Sequence, residues 1–263
     1  MNLRFDHAVV VVSSLVEATR EFARAGFTVL PGGRHDALPT ENALVCFADG
    51  SYLELLATRD PATRGELRAL RASDGWERHL RGVSAVARRF LPRLAGADGV
   101  ADWVLHADSL AGPAARLRAQ GIAASGPVRM SRERPDGEKL EWELLLPESP
   151  LHPFWIADRT PRERRVPGDA PSTRHANGAR GVSVAFVGAA GVPVAALALG
   201  DMLDVRPALL EGGVSVLEFG GWRAELVELV AEEPEGACAI TLTGCGQLPT
   251  EVEALGVTTE AGS

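Results

Sequence analysis

The feature that most restricts what this chain can fold into is an internal repeat. Ser14-Leu15 followed by Gly26 returns as Ser109-Leu110 followed by Gly121, and the same offset of 95 residues carries Arg34 to Arg129. The period is longer than that of solenoid units, so it implies duplicated modules. The first copy defines the module. Phe5-Asp6-His7-Ala8-Val9-Val10-Val11-Val12 is apolar and β-branched, as a buried strand should be. Ser14-Leu15-Val16-Glu17 has the S-x-x-E form of a capping box. Leu15, Ala18, Phe22 and Ala25 then share one helix face up to a left-handed cap at Gly26. A strand at 27–30 meets a Pro31-Gly32-Gly33 break, followed by Arg34-His35 and a polar loop to Thr40-Glu41-Asn42. Strands at 44–48 and 52–56 flank an Asp49-Gly50 hairpin turn. The pattern is β-α-β-β-β.

In the second copy, Trp103-Val104-Leu105-His106 belongs to the first strand, 109–120 to the helix and 122–132 to the second strand. Leu140-Glu141-Trp142-Glu143-Leu144-Leu145 is the third strand, and Pro153-Phe154-Trp155-Ile156-Ala157 the fourth. The expected fold class is α+β, with tandem β-α-β-β-β modules forming a cupped mixed sheet. The expected divisions are a first module at 1–58, a helical connector at 59–97, a second module at 98–158, a linker at 159–178, a third, degenerate module at 179–247 and a tail at 248–263. The connector's Arg64, Arg68, Arg71, Arg78, Arg81, Arg88 and Arg89 recur at roughly helical spacing among Leu and Ala, which reads as helices on the outside of the fold with a solvated basic face. In the third module, a strand at 181–187, a helix at 192–199, a hairpin of 214–219 and 223–230, and a last strand at 237–242 precede a loose end from Thr258.

A net charge of −8 argues against a nucleic-acid or membrane-surface partner. No apolar run approaches the roughly 18 to 20 residues that span a bilayer, and Met1-Asn2-Leu3-Arg4 leads straight into a strand, so a cytoplasmic location is expected. Three cysteines, Cys46, Cys238 and Cys245, do not suggest a disulfide framework. An odd module leaves a sheet edge to cover, within the chain or across a homodimer. Nucleophile-elbow, phosphate-loop and His-x-x-x-His patterns do not occur.

Six stretches carry a family resemblance: Asp6-His7; Gly32-Gly33-Arg34-His35 with Thr40 and Asn42; Tyr52-Leu53-Glu54-Leu55; Arg132-Glu133-Arg134-Pro135-Asp136-Gly137 leading to Trp142; Pro153-Phe154-Trp155-Ile156; and His175-Ala176-Asn177-Gly178. Over roughly residues 4–190 the chain resembles the vicinal oxygen chelate superfamily, and within it the glyoxalase-like, multi-module proteins. The resemblance implies a cup that takes a small oxygenated metabolite beside a divalent metal such as Zn, Ni, Mn or Fe. The ligands would come from the first and last strands of each module. His7 and Glu54 occupy the first-module ligand positions. The offset of 95 puts Asp102 opposite His7, while Ile156 stands opposite Glu54 and Phe154 opposite Tyr52. The second pair is thus altered, and a divalent site would need Asp102, Glu141, Glu143 or Asp158 to complete it.

His7 with Glu54 reads either as a ligand or acid/base pair, or as a hydrogen-bonded core pair. Glu54 or Glu141 is the candidate proton-moving carboxylate. His35 and Asn42 lie where a polar ligand would be met, or fix the turn. Arg132 with Trp142 suits clamping and stacking on a planar anion, or an ion pair beside a core indole. His106, four residues after Asp102, shares its strand face and reads as cavity-facing or as a satisfied buried histidine. Two functions remain open. One is a metal-dependent lyase or isomerase. The other is a metal-free protein that sequesters a small aromatic or anionic compound between Trp103, Trp142, Trp155 and Arg132. Oxygen-dependent ring cleavage is weaker, because it wants two histidines and a carboxylate and only His7 is well placed.

Overall fold

The computed structural model describes residues 3–229 and 235–260. The first module comprises β1 (Arg4–Val11), α1 (Leu15–Arg24), β2 (Leu30–His35), β3 (Thr40–Cys46) and β4 (Tyr52–Thr58). Three helices follow, α2 (Pro61–Arg71), α3 (Trp76–Gly82) and α4 (Ala85–Leu94). The second module comprises β5 (Gly99–His106), α5 (Ala111–Ala119), β6 (Ala124–Glu133), β7 (Lys139–Pro147) and β8 (Phe154–Asp158). In each module the first and last strands are parallel neighbours, and β1 meets β5 antiparallel. The modules are joined again on the far side, where β2 pairs with β6 through Arg34–Glu133 and His35–Arg132. The expected cup is therefore closed into an eight-stranded barrel, β1-β4-β3-β2-β6-β7-β8-β5.

Local chemistry sets the elements. Ser14 caps α1 by accepting from the Glu17 amide, and Gly26 takes the positive φ of +84° that ends the helix. The Pro31-Gly32-Gly33 segment is not a break: β2 runs through it, with a register shift against β3 between Pro31 and Gly33. The glycines are needed for close approach. A Cβ on Gly32 would sit 2.0 Å from Asn42 Oδ1, and one on Gly33 2.1 Å from the Glu133 carbonyl oxygen.

A second sheet explains why β1 is apolar on both faces. After the short helices α6 (Arg162–Arg165) and α7 (Ala170–Thr173) come β9 (Gly181–Ala189), α8 (Val192–Leu203), β10 (Ala208–Leu209), β11 (Ser215–Phe219), β12 (Trp222–Glu228), β13 (Gly236–Thr243), α9 (Thr250–Glu253) and β14 (Val257–Thr259). The order is β10-β11-β12-β9-β13-β14. Outward residues Phe5, Ala8, Val10, Trp103, Leu105 and Trp155 share one core with this sheet, and the Phe5 and Trp222 rings lie 5.2 Å apart. Inward residues Val9, Val11, Val104, Leu144, Phe154 and Ile156 form a separate core with α4. Strands buried on both faces lose polar alternation, which is what the run at Val9–Val12 shows.

Two expectations need correction, those for the connector and for the tail. The connector does not merely coat the outside. Leu67 of α2 and Val86, Phe90, Leu91 and Leu94 of α4 join the barrel's inner core, and Arg64 and Arg89 are buried. The linker is pinned to the barrel by His175, whose Nδ1 accepts from the Thr28 amide while Nε2 donates to the Cys46 carbonyl. Residues assigned to a tail form α9 and β14, with β14 pairing parallel to β13; Val230, expected in a strand, and residues 261–263 lie outside the described residues. Finally, β13-α9-β14 repeats the parallel strand-helix-strand relation of a module but is cut short, so the second sheet stays open.

Candidate functional site

The barrel encloses a cavity of about 50 Å³. Strand alternation sorts its wall: His7 of β1, Tyr52, Glu54 and Leu56 of β4, Thr40 and Asn42 of β3, and His35 of β2 face inward from the first module. The second module supplies Met130, Arg132, Trp142, Leu144, Phe154 and Ile156, and Val86 and Phe90 of α4 cover one end. One side is polar and the other apolar. Arg132 is the exception on the second-module side and Leu56 on the first.

Glu54 is the hub. Asn42 Nδ2 donates to its Oε1 at 2.5 Å, His7 Nε2 lies 3.5 Å from Oε2, and His35 Nε2 lies 3.6 Å from Oε1. Each ring is oriented from behind. His7 Nδ1 donates to Asp6 Oδ1 at 2.7 Å, and His35 Nδ1 is 3.0 Å from Thr40 Oγ1. His7 also stacks on Tyr52 with centroids 4.4 Å apart. Burial opposes ionisation of Glu54, but the hydrogen bond from His7, the fields of His35 and His7 and the Asn42 amide outweigh it and bring its pKa to about 2. Burial also works against a charged His7, yet Asp6 and Glu54 prevail and raise its pKa above the ordinary value. For His35 burial wins, and its pKa falls. The two imidazoles on one carboxylate are driven apart.

Asp6 is the residue that sequence reading left without a role. The β1–β5 register shifts between Phe5 and His7, so Asp6 sits at a bulge, fully buried. Arg165 answers it. This guanidinium, 3% exposed, donates to both Asp6 oxygens at 3.1 Å, to Asp158 at 2.5 and 2.9 Å and to the Tyr52 hydroxyl at 2.7 Å. Arg162 donates to Asp6 as well. Burial resists the Asp6 charge, but Arg165, His7 and Arg162 hold its pKa well below the carboxylate range. The consecutive polar pair Asp6-His7 was a readable signal, because alternating neighbours in a regular strand cannot both face one side. Nothing in the run Arg162-Glu163-Arg164-Arg165 marks which arginine is buried.

Arg132 differs from the other buried arginines. It is 4% exposed, Nη1 donates to Asn42 Oδ1 and Nη2 to the Arg165 carbonyl, both at 3.1 Å, and Nε has no partner among the described residues. Both acceptors are neutral. By contrast Arg89 makes a two-pronged pair with Asp102 at 2.8 Å, and Arg93 adds a third contact at 3.1 Å.

The structure thus brings His7, His35, Asn42, Glu54, Arg132 and Trp142 to one cavity, and it leaves Glu141, His106, Trp103 and Trp155 elsewhere. Glu141 is exposed on the outer face, because Leu140, Trp142 and Leu144 take the inward positions of β7. His106 is the last residue of β5 and sits 3.3 Å from Asp158, in a separate surface recess with Leu3 and Arg4. Trp103 and Trp155 face the second sheet and cannot flank a ligand with Trp142.

A family model described as glyoxalase-like domain matches residues 5–202. The chain belongs to the glyoxalase-like domain family. A hypothetical protein from Staphylococcus aureus superposes with TM-score 0.69 at 15% identity, over 91% of this chain and 90% of that one. A variant of 4-hydroxymandelate synthase from Streptomyces coelicolor gives 0.54 at 14% identity, over 90% and 70% of the two chains. A Mn(II)-bound glyoxalase from Novosphingobium aromaticivorans gives 0.49 at 11% identity, over 90% and 64%. No curated protein matches the chain. The first two likenesses show a shared fold.

The donor set of this glyoxalase-like barrel does not fit a divalent metal. Strand register corrects the offset: His7 pairs with Tyr52 and Val104 with Phe154, so Val104, not Asp102, is the counterpart of His7. With Ile156 opposite Glu54, the second module offers two hydrocarbon side chains. The two imidazoles approach opposite oxygens of Glu54, which Asn42 also holds, and Asp102 is consumed by Arg89 and Arg93. Among the described residues no group of three or more His, Cys, Asp or Glu is arranged to hold a metal ion. Among them, too, no helix is long and apolar enough to cross a membrane.

Proposed function

We propose that this glyoxalase-like barrel binds a compact oxygenated carboxylate, without a metal, against Arg132. The observation that carries the reading is the buried Arg132 guanidinium, with only neutral acceptors and a partnerless Nε. Leaving such a group unsatisfied is costly, and a carboxylate is the planar acceptor that matches its fork. Charge supports the same class. Of the carboxylates and guanidiniums that line the cavity, Arg132 and Arg165 outnumber Glu54. Size supports it too: 50 Å³ is several times the roughly 10–15 Å³ one water needs, enough for a head group of a few atoms. Titration calorimetry with short 2-oxo and 2-hydroxy acids in chelator tests this. Arg132→Met should abolish binding, and unchanged affinity would remove the anchor.

A second reading, proton transfer on the bound acid, is favoured by the opposed pKa shifts of His7 and His35. The pKa of one ring is raised by Asp6 and Glu54 and that of the other is lowered by burial, the separation expected of an acid and a base. A lyase or isomerase step of this kind would appear as solvent deuterium exchange next to the carbonyl, followed by proton NMR in chelator. His7→Gln and His35→Gln should each slow it by about 10²–10⁴-fold; exchange that survives both substitutions would leave binding alone.

A further inference from the structure

We infer that α3 is a lid over the cavity, hinged near Gly75 and Gly82, and that ligands pass beneath it. What the lid admits rests on the reading of the cavity given above; that it opens does not. The cavity is closed, since none of the side chains that line it is more than 9% exposed. Passage in or out therefore requires part of the cover to move.

That cover is fastened unequally. Arg165 ties α6 to Asp6, Tyr52 and Asp158. Arg64 ties α2 to Ser13, Asp98 and the Gly96 carbonyl. Arg89 ties α4 to Asp102 and to the Pro147 and His152 carbonyls, and Arg93 adds the Ala101 carbonyl. Residues 72–83, between α2 and α4, have no such tie. Among the described residues they make no ion pair, and their hydrogen bonds all stay within 68–88. The helix α3 starts without a side-chain cap and contains no buried residue. Trp76, Leu80 and Val83, half-buried at helical spacing, pack on the core that holds the cavity residues Val86, Phe90, Met130 and Trp142. A segment held by a few half-buried apolar contacts belongs to the part of a fold that opens first. At its far end, a Cβ on Gly82 would meet nothing within 4 Å, so the chain has room to turn. Outside, Arg78 and Arg81 are exposed and free of ion pairs among the described residues, a charge that draws a carboxylate toward the lid.

Methyl methanethiosulfonate, a small thiol reagent, tests the opening without any ligand. It is applied to the full chain carrying Met130→Cys, which puts a thiol on the cavity wall, and peptide mass locates the reaction at position 130. Adding Leu80→Ala, which removes the central contact of the lid, should raise that rate about tenfold. Leu67→Ala, in the same core but on the fastened α2, should leave it unchanged. Circular dichroism checks the fold of each variant. A rate that does not respond to Leu80→Ala, or that rises as much with Leu67→Ala, would overturn the lid. A second arm keeps Met130 and follows a three-carbon 2-oxo acid by stopped-flow tryptophan fluorescence. Leu80→Ala should raise kon and koff by the same factor and leave Kd unchanged, because a lid that opens more often speeds both directions. Unchanged kon would overturn the lid and leave the cavity reading standing. If the acid does not bind at all, the cavity reading falls, and the thiol rates decide the lid.

Discussion

Replacing Arg165 with Met should destabilise the barrel more than any change at its surface. Arg165 bridges Asp6 on β1, Tyr52 on β4 and Asp158 at the end of β8, joining both modules from a segment outside either one. Removing one partner of a buried ion pair costs about 3–5 kcal/mol. Asp6 would keep His7 and Arg162, and Asp158 would keep His106 at 3.3 Å, so the lower end applies, about 3 kcal/mol. At roughly 2–4 °C per kcal/mol for a chain of this size, Tm should fall by about 6–12 °C. The pH dependence has a definite sign. A depressed carboxyl contributes stability that is full above its unfolded pKa and lost as pH falls through the folded one. Without Arg165 the folded pKa of Asp6 moves back toward 3.8. The gap between the two proteins should therefore be full near neutrality and shrink as pH drops below about 4. Urea unfolding of both, followed by tryptophan fluorescence from pH 7 to pH 3, measures it. A loss under about 1 kcal/mol, the scale of an exposed pair, or a gap that does not narrow in acid, would refute the clamp.

Glu54, with a folded pKa of about 2 against 4.5, should contribute about 3 kcal/mol above pH 4.5 and lose it as pH falls toward 2, a limb that Glu54→Gln should flatten in the same urea series. Gly32→Ala should cost about 1–3 kcal/mol by urea unfolding, because its Cβ would meet the Asn42 side chain at 2.0 Å and the Asn42 carbonyl oxygen at 2.7 Å. Added Zn, Ni, Mn or Fe should leave Tm within about 1 °C, whereas a metal bound at 100 times its Kd would add about 2.7 kcal/mol; a saturable rise would restore the metal reading.

What was legible in the sequence followed from local chemistry and from duplication. The capping box, the Gly26 stop and the 95-residue offset were enough for two modules, and the polar residues His7 and Glu54 in apolar strands pointed to the cavity. What was not legible depended on register. The offset aligned Asp102 with His7, but the strands align Val104, because the stretch from this strand position to the serine before the helix is shorter in the second module, 104 to 109 against 7 to 14. Alternation misled where its phase was unknown: Glu141 and Trp142 were both candidates, and only one of two adjacent strand residues can face inward. Arg165 was invisible for another reason. It belongs to no strand, and its value lies in where a linker crosses the barrel end.

The divergence of the two modules bears directly on chemistry. A symmetric pair would present His7 and Glu54 with equivalents across the barrel, a set of ligands suited to one cation. Here the equivalents are Val104 and Ile156, and Phe90 of α4 packs on Phe154 with ring centroids 5.8 Å apart. Replacing polar groups with hydrocarbon lowers the local dielectric, and the charges that remain interact more strongly. Those charges are Glu54, already shared between two imidazoles, and Arg132, bonded to the Asn42 amide oxygen and the Arg165 carbonyl and without an ion pair to a carboxylate among the described residues. A cation would enter a site whose one carboxylate is engaged. On the proposed reading an anion would meet the buried Arg132 guanidinium and His7, whose pKa Asp6 and Glu54 raise. On the same reading, hydrocarbon at the positions opposite His7 and Glu54 favours an anion over a cation.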